Sequence, residues 1–227
     1  MTDASFVREV ARIHSELIVD LMNRFFAAGY NISHLQHLFD TSGRSGGEEF
    51  LIVCASPSDA GKGYLPDTCR EWEAATAPAE AAGIRVVHLR IGVVLATSGG
   101  ALKRMLPPFK AGLGGRLGSG RQYMSWISID DLIRGCRFLL ENDQLKGPFN
   151  LVSPSPVRNL EFARTLGRTL GRPAILPLPG VIISLLMGEM GRELLLAGAR
   201  ILPRRLEQAG FEFLYPNLKR ALVHLLG

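Results

Sequence analysis

The segment Ile84–Leu95, IRVVHLRIGVVL, constrains the architecture of this chain more than any other. It is rich in Val, Ile and Leu, nearly continuous in its apolarity, and entered through Gly83. A strand with water on one face alternates apolar and polar residues. A continuous run instead expects cover on both faces, hence a parallel sheet with helices on either side. The preceding stretch, Tyr64–Ala82, reads as a helix interrupted by Pro78. Helix, glycine and buried strand in that order make half of an α/β unit.

Further elements extend that pattern. Residues Phe6–Ala28 place Val10, Ile13, Leu17, Leu21 and Phe25 on one helical stripe, with Gly29 as the stop. Asn31–Phe39 has imperfect strand alternation, Thr41–Gly47 is turn-like, and Phe50–Cys54 suits a short strand. Gly99–Phe109 predicts a short helix and Tyr123–Ile129 a strand. Asp130 is expected to cap a helix over Asp131–Asn142. Pro148–Ser153 reads as a last buried strand and Asn159–Leu170 as a helix ended by Gly171. Leu-rich helical segments follow at Ile182–Ala197 and Leu218–Leu226.

Several function classes lose ground on composition. The net charge is +5, compatible with an anionic ligand, but the basic residues never form a run and no nucleic-acid-binding motif accompanies them. Cys54, Cys69 and Cys136 are scattered and lack C-x-x-C spacing, and His34 and His37 are the closest histidine pair. That pattern predicts reduced thiols and no metal site. The longest apolar run, Val181–Met187, is too short to span a bilayer. A soluble, cytoplasmic protein with no membrane or nucleic-acid partner is the expectation.

The run "VVHLRIGVVLATSGGALKRMLPPFKAGLGGRLGSGRQYMSWISIDDL" carries an L-R-x-G-V-V-L strand, a G-G-A-L helix start, a P-F-x-x-G-L-G-G-x-x-G-S-G-x-Q loop and an S-W-I-x-x-D-D segment. These four motifs, in this order, resemble the extended short-chain dehydrogenase superfamily, in particular its epimerase-like branch that ends in a small helical domain. "SPSDAGKGYLPDTCREWEAA" upstream, and "GPFNLVSPSPVRNLEFARTLGRTLGRP" and "LPRRLEQAGFEFLYPNLKRAL" downstream, are similar to the same branch. The resemblance implies an α/β fold: a partial Rossmann-like, mostly parallel sheet over residues 1–153, and a mainly helical, substrate-side domain over 154–227. It also implies NAD or NADP as cofactor, and hydride transfer on a nucleotide-sugar-like or other polar small molecule. The family opens on a strand, a G-x-x-G-x-x-G turn and a helix, whose amides hold the cofactor's pyrophosphate. This chain opens otherwise, and roughly 100 residues of a domain of the usual size have no counterpart in it. The family's S-A-x-G-x-Y-G pattern maps poorly onto Asp40–Gly46, with Ser45 in the tyrosine's place. A non-catalytic remnant that binds a ligand or a partner, self-associating through an open sheet edge, is the competing expectation.

The candidate site residues follow from the resemblance. Tyr64 stands where the family's proton-shuttling tyrosine stands, but Thr68 replaces the lysine four residues on, so Tyr64 packing a helix start is the reading the residues favour, with the proton shuttle second. Arg90, Ile91, Gly92 and Val93 would border the nicotinamide. Gly118, Ser119, Gly120, Arg121 and Gln122 make up the substrate loop, for which a flexible surface loop is the bland alternative. Trp126 reads first as core and second as a substrate wall. "GGEEF" at Gly46–Phe50 matches the signature of diguanylate cyclases, without that family's surrounding motifs.

Overall fold

The computed structural model describes residues 49–54 (backbone only), 73–81, 83–177 and 198–227. Tyr64, Thr68, Cys69, His34 and His37, the helix expected at Phe6–Ala28, the strand expected at Asn31–Phe39 and the Leu-rich segment Ile182–Ala197 lie outside them.

The chain begins its described part with β1 (Glu49–Cys54), followed by α1 (Ala77–Ala81) and the central strand β2 (Arg85–Ile91). Sheet order is β1-β2-β6, with β6 at Gly147–Leu151. Both pairings are parallel: Glu49↔Arg85 through Cys54↔Arg90 on one side, Val87↔Gly147 through Ile91↔Leu151 on the other. Four consecutive β2 residues, Val86 to Leu89, are buried, as the unbroken apolar run demands. Glu49 and Phe50 of the GGEEF match open β1 in parallel pairing with β2, and Gly46, Gly47 and Glu48 lie outside the described residues.

The expected single strand Ile84–Leu95 is in fact two, β2 and β3 (Val93–Leu95), because the chain changes partner at Gly92. The Gly92 amide still donates to Leu151 of β6 (3.3 Å), whereas the Val93 amide donates to Ser125 (2.8 Å). β3 then pairs in parallel with β5 (Trp126–Ser128). The expected strand Tyr123–Ile129 is likewise split at Ser125, into β4 (Tyr123–Met124) and β5. β4 pairs antiparallel with β7 (Val157–Arg158), a strand too short to register in sequence patterning.

Helix α2 (Gly100–Lys110) follows β3, and α3 (Ile129–Glu141) follows β5. The cap of α3 is Ser128, not Asp130: the Ser128 hydroxyl accepts the Asp131 amide at 3.1 Å and donates to the Asp131 carboxylate at 3.1 Å. Ser128 is thus the N-cap, its hydroxyl held by the Asp131 carboxylate, and the helix starts two residues earlier than the sequence suggested. At the other end Arg85 donates to the carbonyls of Leu139, Leu140, Asn142 and Leu145 at 3.0–3.3 Å. One side chain from the start of β2 thus satisfies two of the orphan acceptors that end α3, and two more carbonyls of the turn that follows.

Helices α4 (Asn159–Thr169), α5 (Arg204–Gln208) and α6 (Leu218–Leu226) complete the described chain. Two cores form. In one, Val87, Leu89, Phe149 and Leu151 of the sheet meet Leu132, Cys136 and Leu139 of α3, closed by Leu206 and Phe211. In the other, Leu102 and Phe109 of α2 and Trp126 of β5 pack on Phe162 and Leu166 of α4 and Leu218 and Leu222 of α6. The C-terminal segments therefore contribute to both. Among the described residues no helix is long and apolar enough to cross a membrane, and no cluster of metal-ligating side chains forms.

Candidate functional site

In a parallel sheet the carboxyl ends of the strands form the ligand-binding edge, because crossover connections leave a crevice there. Here that edge is where β2 ends at Ile91 and β6 at Leu151. The sequence-derived residues Arg90–Val93 lie on it, and each has an internal task. Arg90 grips Glu73 with both arms of its guanidinium, at 2.7 and 2.8 Å. This hydrogen-bonded pair holds the Glu73 carboxyl below its ordinary range, against the opposing effect of burial. Ile91 and Val93 pack against the two cores. Gly92 is bare because a Cβ there would overlap the Ser125 carbonyl oxygen.

Behind this edge a short polar chain runs into the sheet. The Thr76 hydroxyl donates to the Glu73 carbonyl (2.7 Å) and lies 2.9 Å from His88 Nε2. With its proton committed to Glu73, the hydroxyl accepts from the ring, which sets His88 as the neutral Nε2–H tautomer. Burial pushes the His88 pKa down, against the pull of Glu73 and Glu80. Glu73, Thr76, His88 and Arg90 together tie the end of the helix that precedes Ala77 to the central strand. Their contacts join residues 12 and 17 apart, which no local periodicity signals.

The glycine-rich loop is a folded structure rather than a flexible one. Leu117 N donates to Asn159 Oδ1 (2.7 Å), Asn159 N to the Gln122 carbonyl (2.9 Å), and Leu160 N to the Gly120 carbonyl (3.0 Å), so the loop sits on the first turn of α4. Its glycines serve the chain's own packing. A Cβ at Gly114 would meet the Phe109 ring, and one at Gly115 would overlap the Leu176 backbone. Gly118 and Gly120 adopt left-handed backbone, φ +55° and +69°, which favours glycine. Gly112, Gly115 and Gly118 have G-x-x-G-x-x-G spacing, but they follow helix α2 instead of a strand and open no helix. They are no seat for a pyrophosphate, and the described residues provide no other turn of that kind.

The remaining loop residues divide into two sets. The Gln122 side-chain amide donates to the Leu117 carbonyl at 2.9 Å and braces the loop from inside. Ser119 and Arg121 are exposed, joined by an Arg121 N to Ser119 Oγ bond of 3.2 Å. Trp126 is 0 % exposed and donates its indole N–H to the Ser155 carbonyl at 3.0 Å. Its first reading, as core, describes where it sits; it presents no surface from which to act as a substrate wall.

Two residues that the sequence reading passed over stand beside the loop. Arg158 lies 5.7 Å and Arg200 5.8 Å from the Tyr123 ring centroid. Each such contact at an exposed site contributes about 0.5–1 kcal/mol. The three residues are brought together by β-pairing and by the C-terminal segment, across 35 and 42 residues of sequence, so no motif marks them.

Parallel strands around an interrupted central strand, with helices packed against them, define a Rossmann-like α/β protein. Its likeness to human epimerase family protein SDR39U1 (isoform 2), crystallised with NADPH, is close: 34% identity and a TM-score of 0.73, covering 82% of this chain and 67% of that one. An epimerase family protein of Mycobacterium bovis is 50% identical over 163 residues, 72% of this chain and 54% of the relative. An SDR39U1 homologue of Arabidopsis thaliana, named as chloroplastic, is 45% identical over 165 residues, 73% of this chain and 47% of the relative. Residues 178–225 match a family model described as a domain of unknown function (DUF1731). The chain belongs to the SDR39U1-like epimerase family of the NAD(P)-dependent epimerase/dehydratase superfamily. It spans about half the length of the curated relatives it matches. The resemblance drawn from the L-R-x-G-V-V-L and S-W-I-x-x-D-D motifs therefore holds.

Proposed function

We propose that this chain carries the substrate side of an NADP(H)-dependent epimerase or oxidoreductase acting on a nucleotide-sugar-like or other polar small molecule. The observation that carries the reading is the edge at Gly92. There the central strand leaves β6 for β5, and the glycine-rich loop, through Tyr123 and Ser125, is brought beside the strand end where this fold binds its ligands. The NADPH in the human relative's crystal supports the choice of cofactor. When bound, that cofactor supplies hydride chemistry. In this reading Arg90–Val93 forms a wall of the cofactor crevice, Ser119 and Arg121 offer a hydroxyl and a fork of donors to the substrate, and Tyr64 moves the proton. Residues 154–227 close the substrate side as a second domain.

Titration of the full chain with NADPH and NADH, followed by nicotinamide fluorescence and thermal shift, tests this. Saturable binding with a rise in melting temperature supports the enzyme reading. No binding up to about 1 mM of either nucleotide would sink it and favour the ligand-binding module. With binding established, Tyr64→Phe is expected to remove turnover while leaving nucleotide affinity within about twofold.

A further inference from the structure

We propose that the adjoining ends of α2 and α4 form a peripheral docking face for an anionic lipid bilayer, in which Leu113, Ile175 and Leu176 enter the interface and Lys110, Arg168 and Arg172 meet the headgroups. A contact of this kind needs no spanning segment, so it departs from the sequence expectation of no membrane partner, which rested on the shortness of the apolar runs.

Two turns far apart in sequence are built against one another here. The turn that ends α2 closes with the Leu113 amide on the Pro108 carbonyl (2.9 Å), and the turn that ends α4 with the Arg172 amide on the Gly167 carbonyl (2.9 Å). The Leu176 amide donates to the Gly114 carbonyl (3.2 Å), and a Cβ on Gly112 would stand 3.8 Å from the Pro173 ring. Backbone contacts thus hold Leu113, Ile175 and Leu176 in one neighbourhood, with 62, 78 and 48 % of their surface exposed. Five large apolar side chains stand out from the described residues, and three of them are these. Apolar residues gathered at the surface, instead of scattered, mark a contact with something apolar.

The charge around them selects the partner. No Asp or Glu occurs from Ala81 to Ile129, or from Phe162 to Pro177, and those two stretches supply both turns. Lys110, Arg168 and Arg172 are exposed, and among the described residues none of them lies within ion-pair distance of a carboxylate. Lys110 and Arg168 stand in the last turns of their helices, where the helix dipole favours them, but a dipole gives no reason for three aliphatic side chains beside them. Basic residues around protruding aliphatics match a bilayer that carries anionic lipid: the headgroups neutralise the charge and the acyl boundary takes the apolar surface. Single-stranded nucleic acid fits less well, because its bases need an aromatic platform, and the ring beneath Gly114, Phe109, is 4 % exposed.

The test uses the full chain, sedimented with vesicles of phosphatidylcholine alone and of phosphatidylcholine with about one-third phosphatidylserine. Binding to the mixed vesicles is expected to be about tenfold or more tighter than to the neutral ones, and to weaken as salt rises. Arg168→Gln with Arg172→Gln should lower it about tenfold or more, and so should Leu113→Ser with Ile175→Ser, which leaves the charge alone. Arg137→Gln with Arg204→Gln removes the same charge from exposed positions on α3 and α5 and should change binding less than about twofold. Melting temperatures of the variants check that each is folded, since every substituted side chain is exposed. No binding to the mixed vesicles, equal losses in the two arginine pairs, or full binding by the serine pair would overturn the docking face. Tighter binding to a single-stranded oligonucleotide, lost in Arg168→Gln with Arg172→Gln and kept in the serine pair, would assign the face to nucleic acid and overturn it as well. So would light scattering that shows a dimer which the serine pair dissolves, with no vesicle binding, because a second copy would then cover the patch.

Discussion

Several side chains in this protein are committed to holding the carboxyl end of the central strand in shape, and their commitments have measurable consequences. His88 is buried in neutral form with its pKa lowered from the ordinary 6.5, so the unfolded chain binds its proton first as pH falls. Folding stability should therefore decline as pH drops below about 6.5, until the lower folded-state value is reached. Glu73, lowered from 4.5, adds a second decline that begins near that value. Urea denaturation from pH 7.5 to 5 would show the first, and His88→Gln should flatten it; an unchanged slope in the variant would dismiss the assignment. Trp126 makes a separate case. Trp126→Phe removes buried area and the bond to Ser155, with an expected cost of about 1–3 kcal/mol in the same assay. Ligand affinity should not move, because the ring touches core alone. Cys136, its thiol pushed up to about 12 by burial, is expected to resist alkylation in the native protein.

Among the elements, the interrupted strands matter most. β2 and β3 part at Gly92, where the close approach of the Ser125 carbonyl, possible only without a Cβ, accompanies the change of partner from β6 to β5. Gly92→Ala places a methyl group onto the Ser125 carbonyl and close to Val152 Cγ1. Neither a backbone carbonyl nor a packed strand yields cheaply, so a loss of about 2 kcal/mol or more is expected, with ligand binding reduced beyond what the melting shift alone explains. An alanine variant with unaltered stability would show that the crossing is looser than the geometry states. The periodicity of the sequence revealed β1, β6, α4 and α6 within a residue or two, because each has a single partner face along its length. It failed at β2–β3 and β4–β5, where the partner changes inside a continuous apolar run. It also misplaced the start of α3, since Ser128 and Asp130 are both good caps and only the geometry of Asp131 decides between them.

Across the whole molecule, the C-terminal chain is strapped to the sheet by side chains that reach backbone. Asp131, 1 % exposed, accepts the amides of Leu214 (2.8 Å) and Tyr215 (2.9 Å), while Ser153 donates to Pro216 and Asn150 to Leu202. Asp131→Asn weakens bonds to both amides and to Arg134 and should cost about 2–3 kcal/mol, with amide exchange accelerated over Leu214–Tyr215 ahead of the sheet. Uniform acceleration throughout the chain would refute a strap of that kind. The family and the parallel sheet were legible in the sequence, because apolar continuity, turn glycines and short motifs are local properties. What the glycines of the loop pack against, that Ser128 caps α3 while Asp131 straps the C-terminal chain, and the approach of Arg158 and Arg200 to the Tyr123 ring were decided by tertiary structure. Those contacts join residues tens of positions apart, and pairings at that range leave no period in the sequence to read.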